Sequence, residues 1–213
     1  MNTVGELEVD VSFSPKASKE LKSLKPVFKK LREVHQRYIN LEPSSETSFW
    51  HRERAQTGLL AAAAWLSDKT ALEEFGCDRQ KRRGRRDLCI AINTKASFEC
   101  EAKYLYVNLT KVEQSLTEVY ACLTKAVEEA RKARGGDAEY RLGLCFVAPR
   151  ISRSRRGELD DRWRQFINGL KQKANGSSKY DALVRIHSPE PFPDEHNRLY
   201  PGLLLLVKEE EYV

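Results

Sequence analysis

The chain has 213 residues, 40% of them hydrophobic and 32% charged, with a net charge of +6. Acids and bases are mixed and apolar stretches recur, which excludes wholesale disorder. No apolar run approaches the ~20 residues of a membrane-spanning helix, so a soluble protein with one compact domain is expected.

The elements are read in chain order. Alternation in Leu7-Glu8-Val9-Asp10-Val11 predicts a short strand within residues 1–15, ended by Pro15. A basic amphipathic helix is expected over 18–39, interrupted by Pro26. Residues 1–43 then read as an arm and helix that pack on a main α/β domain, 44–213. A linker at 41–45 leads to a second helix over 47–67, with Ser44 or Ser45 as its cap. Its second half, Leu59 to Leu66, has little polar face and is expected to be buried on several sides.

Residues 68–86 read as loop followed by a basic stretch, with room for a short edge strand before Gly84. Asp87 to Ile92 is an apolar strand, Asn93 to Ser97 a turn, and Phe98 to Val107 a second strand, together a hairpin. A long helix over 109–133 ends at Gly135-Gly136. Tyr140 to Ala148 is a buried strand and Glu158 to Lys173 a helix. Strands at 182–186 and 203–207 close the chain, joined by a segment that Pro189, Pro191, Pro193 and Pro201 mark as irregular. This order predicts a mixed central β-sheet flanked by helices.

The positive charge is local. Arg79, Lys81, Arg82, Arg83, Arg85 and Arg86 form one run without an acid, and Arg150, Arg153, Arg155 and Arg156 form another. The remainder of the chain is net negative. Such patches suit a polyanion, because phosphate contacts release counterions. The five cysteines include no CxxC pair, which argues against a zinc site. Cys89, Cys100 and Cys145 lie in apolar strands and read as small buried hydrophobes. An odd cysteine count and the lack of a secretory leader pattern predict a cytoplasmic setting.

Strand parity singles out one constellation. Over Phe98 to Lys103, the side chains of Glu99, Glu101 and Lys103 share one face, and Phe98, Cys100 and Ala102 share the other. Charges in a strand suited to burial are costly unless paired or coordinated. The hairpin brings Asp87 beside Glu101, and two carboxylates on neighbouring strands make a hard oxygen site of the kind Mg2+ or Mn2+ prefers. A lysine there can orient an attacking water while the ion polarises a phosphate. The Glu-x-Lys triplet alone carries little weight, since Glu20-Leu21-Lys22 repeats it in an ordinary helix. The weight lies in the combination with Asp87, the hairpin and the flanking helices.

The text Arg86-Asp87-Leu88-Cys89-Ile90 followed by Phe98-Glu99-Cys100-Glu101-Ala102-Lys103 resembles the PD-(D/E)XK nuclease superfamily over about residues 46–148. The resemblance implies a restriction-endonuclease-like fold. It implies Asp87, Glu101 and the Ala102 carbonyl as metal ligands and Lys103 as the water-positioning lysine. Glu53 from the first core helix would complete the site, with Glu46 as second choice. Arg86 stands where the motif often has proline, and the strand expected before Asp87 is not evident.

The reading that follows is a Mg2+- or Mn2+-dependent nuclease that hydrolyses DNA phosphodiester bonds, its two basic runs gripping the backbone. The alternative is a nuclease fold that binds nucleic acid or a protein partner without cutting. The chain has no ATPase or methyltransferase motif. In a defence, recombination or repair assembly those activities would come from other subunits, and a homodimer is the other arrangement considered.

Overall fold

The computed structural model describes residues 5–41, 47–79, 82–132, 138–172 and 179–210, with backbone alone for 75–79 and 82–84. Strand β1 (Glu8–Phe13) turns Val9, Val11 and Phe13 towards the core and leaves Glu8, Asp10 and Ser12 exposed. The helix expected over 18–39 is two helices, α1 (Lys19–Ser23) and α2 (Lys25–Leu41), which break at Leu24. Ser18 caps α1, its side chain accepting from the Leu21 N–H. Pro26 falls in the first turn of α2, where a missing N–H is tolerated. The second helix starts later than expected: Ser48–Trp50 is a 3-10 turn, and α3 runs over Glu53–Trp65. The predicted caps Ser44 and Ser45 lie outside the described residues.

Strands β2 (Thr70–Arg79), β3 (Arg82–Asn93) and β4 (Ala96–Asn108) form an antiparallel meander. Helix α4 (Val112–Lys132) then crosses to β5 (Tyr140–Ser152), which pairs parallel to β4. Helix α5 (Leu159–Gln172) and strands β6 (Ala182–Pro193) and β7 (Arg198–Glu209) complete the order. The seven strands make one sheet in the order β1-β6-β7-β5-β4-β3-β2. The protein is thus mixed α/β, a mixed sheet between helices. Because β1 pairs with β6, residues 8–13 belong to the same sheet as the rest.

Both sheet faces are covered. Residues of α1, α2 and α3 pack on Leu88, Ile90, Phe98, Cys100 and Ala102 on one side. On the other, α4 and α5 pack on Cys145, Val147, Leu204 and Leu206. No helix among the described residues is long and apolar enough to cross a membrane.

Gly143 sets how closely α4 approaches the sheet. A Cβ at that position would lie 2.6 Å from Val127 Cγ2 and 2.7 Å from the Val127 backbone nitrogen. Gly143→Ala must push the helix away, and is expected to cost about 1–3 kcal/mol. The drop would be read from the urea midpoint at unchanged m-value. A midpoint equal to wild type would show that α4 retreats freely.

His35 on α2 is fully buried, and its Nδ1 meets Ser48 Oγ at 2.5 Å. Its Nε2 has no partner among the described residues. Burial depresses its pKa to about 3 from 6.5. Between those values the unfolded chain binds a proton that the native one refuses, so stability falls as pH drops below 6.5. From pH 7 to pH 5 the expected loss is about 2 kcal/mol. His35→Leu should flatten that part of the urea-derived stability profile, and an identical slope in wild type and variant would refute the assignment.

A candidate active site at a fork in the sheet

Pairing between β3 and β4 runs from Asn93/Ala96 to Leu88/Cys100. Both strands continue past this point, but with other partners. The start of β3 stays with β2, through Phe75↔Arg86 to Arg79↔Arg82, while β4 stays with β5 as far as Asn108↔Arg150. The sheet forks there. Asp87 sits at the fork, and its Oδ2 accepts from the Ala102 N–H at 2.7 Å. A side chain thus takes the place of the next main-chain ladder bond.

Lys103 is the centre of the charged cluster. Its Nζ donates to the Ala102 carbonyl at 2.7 Å and to Glu129 Oε2 at 2.8 Å, and it lies 3.9 Å from Glu53 Oε2. Burial works against the ammonium, but Glu129, Glu53 and Asp87 together outweigh it and raise its pKa above 10.5. Burial, helped by the charges of Asp87 and Glu129, raises Glu53 above 4.5 despite the opposing pull of Lys103. Glu129 falls below 4.5, because contact with Lys103 overrides its own burial penalty. Glu53 is the first residue of α3, where a carboxylate is favoured by the helix dipole.

Sequence reasoning placed Asp87, Lys103 and Glu53 here, and the structure brings the three together. Glu46 lies outside the described residues. Glu129 was missed. Its signal was its spacing from Cys122 and Ala126, which puts it on the helix line that faces β4 and β5 rather than with the exposed Glu128.

Glu101 is placed differently. As parity predicted, it lies opposite Phe98, Cys100 and Ala102, but it is 3% exposed and bound to Arg86, Nη1 to Oε1 at 3.3 Å. Arg86 is fully buried, and its Nη2 also meets Glu99 Oε2 at 2.6 Å. The same guanidinium donates to the Ala130 carbonyl of α4. Arg86 was expected to grip phosphate with its run; instead it fills the space between two buried carboxylates and offsets their charge. Glu99 is a buried supporting residue of this pairing.

Of the other basic residues, the backbone of Arg79, Arg82, Arg83 and Arg85 and the segment from Arg150 to Arg156 stand at the same end of the sheet as the fork. Arg85 is exposed and bridges to Glu74 at 3.3 Å. The side chains of Arg79, Lys81, Arg82 and Arg83 lie outside the described residues. Across the fork, Arg150 lies near the end of β5, with its guanidinium 4.8 Å from the Tyr106 ring centre. Arg153, Arg155 and Arg156 follow in an exposed 3-10 turn.

Among the described residues no three His, Cys, Asp or Glu side chains gather to hold a metal ion. The oxygens at the fork are three carboxylates, from Asp87, Glu53 and Glu129, and the Ala102 carbonyl. Those around Lys103 already hold a cation, its ammonium, so the donors suit a hard positive ion in type and charge. A cavity of about 620 Å³ between the start of α4 and α5, lined by Lys111, Glu113, Arg162 and Asn168, lies away from this cluster. Comparison with protein-family models, with curated proteins and with solved structures found no match.

Proposed function

We propose that the chain is a metal-dependent nuclease of the PD-(D/E)XK type that hydrolyses DNA phosphodiester bonds. The observation that carries this reading is the meeting of Asp87, Lys103 and Glu53 where β3 and β4 part. The strand expected before Asp87 supports it, since β2 pairs along the whole start of β3. Basic segments on both arms of the fork support a polyanionic substrate.

Asp87 and the Ala102 carbonyl would hold Mg2+ or Mn2+, with Glu101 joining when Arg86 releases it. The ion supplies polarisation of the scissile phosphate and an acidified water. Lys103 stays protonated well past neutral pH, so it donates a hydrogen bond and a positive charge rather than accepting a proton. Glu53, raised by burial, is the better proton acceptor for the attacking water. The arginines beyond the fork hold backbone phosphates on either side.

Asp87→Asn tests the assignment. Asparagine keeps an oxygen for the Ala102 N–H but loses the carboxylate charge. Plasmid cleavage with Mg2+ or Mn2+ should fall at least about a hundredfold while the far-UV spectrum stays unchanged. Cleavage near the wild-type rate would sink the reading.

One observation favours a second reading, a nuclease fold that binds DNA without cutting: Arg86 already claims Glu101. Metal-independent DNA binding, with no cleavage by wild type under either ion, would select it.

A further inference from the structure

Arg86 holds its two carboxylates unequally. Nη2 meets Glu99 Oε2 at 2.6 Å, whereas Nη1 reaches Glu101 Oε1 at 3.3 Å. Nη1 also donates to the Ala130 carbonyl of α4, again at 3.3 Å. All three side chains are buried, where an unmatched charge is costly.

The sheet register explains part of the inequality. Glu99 and Glu101 are two residues apart on β4 and share one face. On β5, Glu99 pairs with Arg141 and Glu101 with Gly143. Glu99 therefore has a second cation near it, Arg141 Nε at 4.0 Å from Oε2. Glycine offers Glu101 no side chain.

We propose that Glu99 is a positioning residue for the metal site: it retains Arg86, and so lets Glu101 exchange that guanidinium for a divalent ion. This role rests on the nuclease reading of Asp87 and Glu101.

A carboxylate drawn towards Mg2+ or Mn2+ gives up the arginine that balanced it. If Glu101 were the sole counter-charge of Arg86, its departure would strand a buried guanidinium beside a second cation. Glu99 removes that obstacle. When Glu101 leaves, Nη2 keeps its 2.6 Å contact with Glu99 and Nη1 keeps the Ala130 carbonyl. Arg86 stays where it is, and Glu101 is the member that moves. Arg141 opposes the exchange, because it draws on the same Glu99 oxygen.

Two effects of opposite sign result. Neutralising Glu99 makes Arg86 depend on Glu101 and weakens ion binding, although Glu99 itself holds no ion. Neutralising Arg141 leaves more of Glu99 to Arg86 and tightens ion binding. Glu210, the other acid near Arg141, is still held by Arg131 at 2.7 Å. A plain field effect on a dication has the same two signs, so the background decides between them. A field effect acts whatever stands at position 101. Retention of Arg86 matters only while there is a Glu101 to release.

Mn2+ titration of the full chain, with the free ion read by electron paramagnetic resonance, tests this. Glu99→Gln keeps the shape and removes the charge. Its Kd for Mn2+ should rise about ten- to a hundredfold, the usual effect of losing a residue that orients a metal ligand. Glu99→Asp keeps the charge and should bind far closer to wild type than Glu99→Gln does. In a Glu101→Gln background, Glu99→Gln should add no further loss. Arg141→Gln should tighten binding in the wild type and leave it unchanged in Glu101→Gln; this arm decides by itself if Glu99→Gln does not fold. Wild-type affinity in Glu99→Gln overturns the proposal, as does an equal loss in both backgrounds or a Glu99→Asp as weak as Glu99→Gln. Mn2+ binding that Asp87→Asn destroys but Glu99→Gln spares removes the proposal alone. A wild type that binds no Mn2+, or binding that Asp87→Asn leaves intact, removes the nuclease reading and the role of Glu99 with it.

Discussion

Arg86→Met is expected to destabilise the protein by about 3–5 kcal/mol, the usual cost of removing one partner from a buried ion pair. Arg86 is wholly enclosed and joins Glu99 at 2.6 Å and Glu101 at 3.3 Å. Methionine fills much of the volume but leaves two carboxylates in the interior with one cation fewer. Arg141 Nε, 4.0 Å from Glu99 Oε2, is farther from it than Arg86 and does not match its 2.6 Å contact. The loss would be measured as a shift in the guanidinium chloride midpoint at constant m-value. Adding Glu99→Gln and Glu101→Gln to Arg86→Met should recover part of it, because the uncompensated charges are then gone. A loss below about 1 kcal/mol would show that Arg86 is not held as described.

The same pairing bears on the two functional readings. A carboxylate matched to a buried guanidinium is stable without a metal, so the fold does not depend on loading to hold Glu101 in place. If Glu101 is a ligand, binding must draw it from Arg86. That exchange costs free energy and would lower metal affinity relative to a site with two unclaimed carboxylates. If Arg86 never lets go, Asp87 alone supplies the β-strand carboxylate, and the fork is a binding surface.

Much of this arrangement is legible in the sequence, and the parts that are not share a physical cause. The parity of β4 is readable because α4 and α3 cover its two faces differently, so Glu99, Glu101 and Lys103 stand out against Phe98, Cys100 and Ala102. Helix α4 is readable from its apolar line. Strand β2 is not: it lies at the sheet edge, its run contains Glu73 and Glu74, and Glu74 has φ +46°. An edge strand pairs on one side and is not pressed to be continuously apolar. Strands β6 and β7 pass through prolines that read as an irregular connection. The pairing of β1 with β6 ends at Glu8/His187, so among the described residues Pro189, Pro191 and Pro193 border no strand on that side. The β6–β7 register also shifts between His187 and Phe192, and the β5–β7 register between Val147 and Ile151, which accommodates Pro201. Arg86 escaped because alternation places it with Leu88 and Ile90. The β3–β4 ladder ends at Leu88, and beyond it β3 is paired with β2 alone, so the alternation set by both neighbours no longer holds at Arg86.

Lys103→Met is expected to lower cleavage by about a hundred- to a thousandfold, the size of effect seen when one preorganised donor is lost from a polar site. A purely structural lysine would give no such loss, so the pH profile decides what it does. In the wild type, cleavage should rise with pH as Glu53 loses its proton, with a midpoint above 4.5 because burial favours the neutral acid. It should persist past pH 10.5, because Glu129, Glu53 and Asp87 keep Lys103 charged there. Lys103 is also the strongest influence that holds the Glu53 pKa down. Removing the ammonium leaves Glu53 with its burial penalty and with Asp87 and Glu129 as like-charged neighbours. The acid limb of the residual activity must therefore move to higher pH in Lys103→Met, and the alkaline limb must disappear. Glu53→Gln should abolish the acid limb in either background. A Lys103→Met enzyme that is slower but keeps the wild-type acid midpoint would separate Lys103 from Glu53 and leave the proton acceptor to be sought elsewhere at the fork.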